Sequence, residues 1–283
     1  MHRHESQAPA LCVLASGSSG NCSVLRNANG QLVLIDAGLS PRRTAHELER
    51  IGCTLEDVAA IVLTHLDHDH FYSSWTSAVR RRLAPHARLW VHTSHAHERS
   101  LTPLCDAGCI ETFDTEPFQP VESTTFISRM ARHDAEGVAT FRVSTPFGEL
   151  GYLTDLGDVP DSLLEFHHGV GVLAIESNYC PRLQIRSQRP DFLKRRIMGG
   201  AGHLSNEQCL AATEAISPTS HVVFLHLSQQ CNSPEIVGDL HEGADYARTI
   251  AAPSQPTRWV RIDGPPTAPI VQTRPTTLFE HVR

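Results

Sequence analysis

The feature that most constrains this chain is an apolar run, Val58-Ala-Ala-Ile-Val-Leu63, followed at once by Thr64-His-Leu-Asp-His-Asp-His70. An unbroken apolar run of this kind reads as a strand buried on both faces, so both sides of its sheet must be covered. Five of the next seven residues, His65, Asp67, His68, Asp69 and His70, carry side chains that bind metals. One loop cannot aim all five at a single ion. It can divide them between two ions a few ångströms apart, as in dinuclear hydrolytic centres. The same residues would also suit a polar helix N-terminus, where aspartate favours the macrodipole. The apolar strand before them and the ligand-type residues further on favour metal.

Those later residues recur in one kind of place. Strands are predicted from short apolar or alternating stretches at Leu11–Leu14, Cys22–Leu25, Gln31–Ile35, Arg88–His92, Thr125–Ala131, Thr140–Val143, Glu149–Leu153, Val170–Ile175, Val222–Leu225 and Trp259–Ile262. Several deliver a polar residue just past their end: Asp36, His133, Asp155, Glu176 and His226. Helices are predicted between them. Ser40-Pro41 supplies an N-cap and first turn for a helix ending near Ile51, and Gly52 closes it. Further helices are read over 73–82 and 94–101, from a capping box at Ser205-Asn-Glu-Gln208, and from Ser233-Pro-Glu235. Strands mixed with helices, with chemistry at the strand ends, indicate an α/β architecture. Residues 1–264 read as one domain and the Pro/Thr-rich residues 265–283 as an extended tail.

Composition narrows the function classes. The 283 residues are 40% hydrophobic and carry a formal net charge of −7, which argues against a broad basic surface for nucleic acid without excluding a local groove. No apolar run approaches the ~18 residues of a membrane span, and the N-terminus lacks a secretory apolar core. The expectation is a cytoplasmic protein without a membrane partner. Eight scattered cysteines form no CxxC pair; Cys105 and Cys109 read as two small buried thiols.

Taken together, the motifs resemble the metallo-β-lactamase fold superfamily, in its YycJ-type exonuclease-like branch. The resemblance rests on Leu14-Ala-Ser-Gly-Ser-Ser-Gly-Asn21, Leu34-Ile-Asp-Ala-Gly38, the His65–His70 string, Gly202-His-Leu-Ser-Asn206, His226-Leu-Ser228 and Asn232-Ser-Pro234. It runs from about Leu11 to Pro234. It implies a four-layer αββα sandwich with two divalent cations, zinc, manganese or iron, at one edge. By position, His65, Asp67 and His133 match the first metal site, and Asp69, His70 and His226 the second. Asp155 matches the carboxylate that bridges them. Asp36 matches a residue that orients the ligand loop. Asp69 and His203 are the catalytic candidates, with His203 placed to protonate a leaving oxygen or hold a phosphate. Ser18, Ser19 and Asn21 either donate hydrogen bonds near the ions or only shape a turn.

Two departures from the pattern stand out. Asp67 occupies a slot where histidine is expected, adding charge and a harder donor that tilt preference from zinc towards manganese or iron. His68 starts one residue later and is expected to point elsewhere. Tyr179 stands where the branch has histidine, and either offers a hydroxyl or only packs. The expected activity is hydrolysis of a phosphodiester by water activated between two cations, with nucleic acid as one possible substrate. The alternatives are a lactone, a thioester, a small cyclic phosphodiester, or a non-catalytic metal-binding protein of the same fold.

Overall fold

The computed structural model describes residues 8–83 and 86–264. The expected tail, 265–283, lies outside the described residues. Two seven-stranded sheets organise the chain. The first runs in chain order through β1 (Ala10–Ala15), β2 (Cys22–Arg26), β3 (Leu32–Ile35), β4 (Val58–Val62), β5 (Arg88–His92) and β6 (Ile110–Phe113). The second runs, also in chain order, through β7 (Phe118–Val121), β8 (Thr124–Ala131), β9 (Val138–Thr145), β10 (Gly148–Leu153), β11 (Val172–Glu176), β12 (His221–Leu225) and β13 (Ala247–Ile250). Strand β14 (Val260–Arg261) returns to pair antiparallel with β1.

Each sheet opens with antiparallel pairs and then turns parallel, from β3 to β6 and from β10 to β13. Parallel neighbours need crossovers, and helices supply most of them. α1 (Pro41–Arg50), α2 (Trp75–Arg82) and α3 (Thr102–Cys105) serve the first sheet. α4 (Asp161–His167), α5 (Pro181–Arg186), α6 (Asp191–Met198), α7 (Asn206–Ile216) and α8 (Pro234–Leu240) serve the second. Ser40 caps α1 by accepting from Arg43 N, Ser205 and Gln208 form the capping box of α7, and Ser233 caps α8.

Side-chain alternation explains the unbroken apolar runs. In β3, Val33 and Ile35 enter the layer between the sheets, whereas Leu32 and Leu34 pack outward under helices. In β11, Val172 and Ala174 face the inner layer, and Leu173 and Ile175 face the helices on the other side. Helix, sheet, sheet, helix is therefore the layer order, the αββα sandwich. Among the described residues no helix is long and apolar enough to cross a membrane.

The structure corrects two expectations. Residues 94–101 are not one helix: two short 3-10 turns flank Glu98, whose extended backbone (φ −64°, ψ 129°) separates them. Cys105 is exposed while Cys109 is buried, because Cys105 ends the one-turn α3 on its outer side.

The parallel topology fixes where chemistry collects. Strands β3, β4, β10, β11 and β12 carry Asp36, His65, Asp155, Glu176 and His226 at or just beyond their C-terminal ends. All five side chains are buried at one edge of the sandwich.

Candidate metal centre

Asp155 is the hub of this edge. Its Oδ2 lies 2.8 Å from Nε2 of His70 and 3.6 Å from Nε2 of His65. Its Oδ1 contacts Nδ1 of His226 and stands 4.0 Å from Nδ1 of His203. One carboxylate thus faces two histidine groups, one through each oxygen. Asp36, Asp155 and His226 each adopt a left-handed backbone, with φ of 63°, 53° and 55°. Non-glycine residues rarely do so, and such strain clusters where side chains must be aimed at a site.

The ligand loop is held from behind. Asp36 accepts hydrogen bonds from Thr64 N (2.8 Å) and Thr64 Oγ1 (2.9 Å), and its Oδ2 lies 2.7 Å from Nδ1 of His70. Nδ1 of His65 lies 2.9 Å from Thr64 Oγ1, and Nδ1 of His133 lies 3.1 Å from the Gly202 carbonyl. With Nδ1 occupied in all three rings, Nε2 is the atom left for the cleft. The loop also packs without slack. A Cβ at Gly38 would fall 1.7 Å from the Asp69 carbonyl oxygen, the same oxygen that accepts from Asn21 N at 2.7 Å.

His65, Asp67 and His133 bring ligand atoms within 4.8 Å of one another, as do His65, His70 and Asp155. Asp69 Oδ2 stands 3.9 Å from Nε2 of both His70 and His226. The Nε2 atoms of His65 and His226 are buried and have no hydrogen-bond partner among the described residues. A buried imidazole nitrogen with nothing to bond is costly, and a cation supplies the missing partner. Burial, reinforced by His70, holds His65 well below the usual histidine range, leaving its lone pair free. Burial opposes charge on Asp155, but His226 and His70 outweigh it and hold that carboxyl well below its usual range. Four imidazoles and three carboxylates suit zinc, manganese or iron.

A family model for the beta-lactamase superfamily domain matches residues 31–227, most of the chain. The chain belongs to the beta-lactamase superfamily. Within it, the exodeoxyribonuclease YycJ of Bacillus anthracis is 28% identical over 226 residues, covering 79% of this chain and 84% of that one. The exodeoxyribonuclease WalJ of Streptococcus pneumoniae is 27% identical over 259 residues, covering 87% and 95%. Among solved structures, the metallo-beta-lactamase fold protein YhfI of Bacillus subtilis superposes with a TM-score of 0.68 at 14% identity, covering 89% of this chain and all of that one. A diphosphatase of the PhnP family gives 0.63 at 18%, covering 91% and 99%.

Every residue expected at the superfamily's metal centre comes to this edge. Asp67, Asp69, His133, Asp155, His203 and His226 line a cleft of about 450 Å³, with His65 and His70 buried behind. His68 is exposed, its ring 5.3 Å from that of Tyr72. Ser18 and Ser19 are both exposed, and Ser18 lines the cleft. Asn21 is buried beside the candidate ligands, with Nδ2 2.9 Å from Nε2 of His70 and 3.4 Å from Asp69 Oδ2. Tyr179 packs with Ile197 and Cys231, and burial pushes its hydroxyl up to about 12.

Sequence reasoning gave no role to Glu176. Its buried Oε1 lies 2.7 Å from His203 Nδ1 and 3.2 Å from His226 Nδ1. Its Oε2 accepts from Leu156 N at 2.8 Å and Leu204 N at 3.3 Å. Burial pulls His203 down, but Glu176 outweighs it and raises the imidazole above its ordinary value. The signal was present: Glu176 ends an apolar strand, and His65, Asp155 and His226 follow such strands closely.

Proposed function

We propose that this chain is a dinuclear metal-dependent phosphodiesterase that degrades DNA. The observation that carries this reading is the position of Asp155, one oxygen towards His65 and His70 and the other towards His226 and His203. His65, Asp67 and His133 would hold one ion, Asp69, His70 and His226 the other, with Asp155 shared. Divalent cations so held supply Lewis acidity and water activated at neutral pH.

The remaining steps belong to side chains. His203, with Nδ1 held by Glu176, keeps a proton for a leaving oxygen. Arg189 and Arg196 line the same cleft and suit the charged oxygens of a phosphodiester, although Arg196 is ion-paired with Asp134 at the cleft wall. Arg189 is fixed in advance, donating to Gln184 Oε1, Gln230 Oε1 and Ser228 Oγ at 3.1–3.2 Å. DNA as the substrate follows the relatives named exodeoxyribonucleases.

The test is degradation of an end-labelled oligonucleotide by protein stripped with chelator and resupplied with manganese or zinc. Progressive shortening that depends on the added metal is expected. Intact oligonucleotide with both sites shown to be filled would overturn the reading.

A further inference from the structure

Helices α5 and α6, residues 181–198, break the rules that the rest of the molecule obeys. Of five large apolar side chains exposed among the described residues, four lie here: Leu183, Ile185, Phe192 and Met198, with Phe192 68% exposed. The same 18 residues hold Arg182, Arg186, Arg189, Lys194, Arg195 and Arg196 against the single acid Asp191. A local excess of positive charge thus sits in a chain of net charge −7.

Packing does not account for the exposed residues. α6 is anchored by its other face, where Leu193 and Ile197 join Tyr179 and Cys231. Lys194 ties α6 to α5 by donating to the Ile185 carbonyl at 2.9 Å. The outward face, with Ile185, Asp191, Lys194, Arg195 and Met198, borders a shallow groove of about 460 Å³. The inward side is continuous with the metal cleft, since Arg189, Leu193, Arg196 and Ile197 line it.

We infer that this helical arm is a binding platform for single-stranded DNA, carrying the strand from the groove across α6 into the metal cleft; this rests on the phosphodiesterase reading. Exposed cations alternating with an exposed aromatic and apolar side chains are what an unpaired strand requires. Arginines neutralise the backbone, and Phe192 offers a face on which a base stacks. A duplex hides its base faces and would leave Phe192 unused. A bilayer would match a basic helix bearing phenylalanine, but it cannot enter the cleft that the same helix lines.

The experiment compares Phe192→Ala and the double variant Arg186→Glu/Arg195→Glu with the unaltered chain. Anisotropy of a fluorescein-labelled, phosphorothioate-linked oligothymidylate reads binding as salt is varied. Hydrolysis of bis-p-nitrophenyl phosphate, too short to reach the arm, reads the metal centre. A roughly 10-fold loss of oligothymidylate affinity is expected in Phe192→Ala. The double variant should flatten the log–log salt dependence by about 0.7 for each phosphate it no longer neutralises. Both variants should retain bis-p-nitrophenyl phosphate turnover. Unchanged oligothymidylate binding would overturn the inference, as would parallel loss of both activities, which would make the arm a structural support. Variant-sensitive binding to phosphatidylglycerol vesicles, with oligothymidylate binding unaffected, would assign the arm to a membrane instead. Arm-dependent binding by a metal-loaded chain that hydrolyses neither bis-p-nitrophenyl phosphate nor the end-labelled oligonucleotide would uphold the platform and sink the phosphodiesterase reading.

Discussion

Glu176 holds His203 at 2.7 Å from a position where the carboxylate has no exposure to solvent. Fixing Nδ1 in this way turns the rest of the ring towards the cleft and stabilises its protonated form. Glu176→Gln keeps the shape and removes the charge. The expected result is a fall in kcat of roughly 10- to 100-fold on DNA. A much smaller fall is expected on bis-p-nitrophenyl phosphate, whose leaving group departs without a proton. Metal content, read by elemental analysis, should persist. Equal losses on both substrates would show that Glu176 only supports the fold.

As a ligand of the proposed first metal site, Asp67 is expected to set metal preference. It is half exposed and lies 3.8 Å from His65 Nε2, in the cluster completed by His133. Asp67→His replaces a hard anionic donor with a neutral nitrogen, so relative affinity should move towards zinc and away from manganese. Competition between the two ions, followed by elemental analysis, measures this. Loss of both metals would show that the carboxylate is specifically required.

The ligand loop tolerates no side chain at residue 38. Because the new Cβ would meet the Asp69 carbonyl at 1.7 Å, Gly38→Ala must displace the segment that carries Asp69 and His70. A loss of about 3 kcal/mol or more is expected from such overpacking. Urea unfolding reads it directly; an unchanged midpoint would contradict the packing described.

Acid should unfold the protein partly through histidines remote from the site. Burial, aided by the charges of Arg142 and Arg129, holds His167 at about 3, and burial with Arg248 holds His241 at about 4. Both folded values are depressed, so the unfolded chain binds the protons first. Stability is therefore complete above the unfolded value of about 6.5 and declines as pH falls towards 3–4, by up to ~1.4 kcal/mol per pH unit for each group. In His167→Gln the dependence between those limits should be shallower, as measured by chemical unfolding at a series of pH values. An identical slope would mean that His167 is not held neutral.

The sequence made the centre of each sheet legible, and much less of the edges. Strands β3, β4, β11 and β12 are buried on both faces, and their unbroken apolar runs announce them; β10 is as buried but carries Glu149. β6, β7 and β13 are edge strands with exposed residues, and β7 includes Pro120, so their pattern is weak. The site was legible for a related reason: His65, Asp155 and His226 stand where an apolar run stops. Glu176 stands in such a place too. Its role stays hidden in the sequence because its partner, His203, arrives from a loop 27 residues further on, a proximity that only the fold creates. α5 and α6 are equally hard to read, since their exposed apolar and basic residues fit no buried face. Departures of that kind are expected where function overrides folding.

We propose that Asp155 lies between two metal ions. Anomalous diffraction from crystals soaked in manganese or zinc tests it most directly. Two peaks are predicted, one on each side of the Asp155 carboxylate: the first beside His65, Asp67 and His133, the second beside Asp69, His70 and His226. A single peak, or none at saturating metal, would contradict the account.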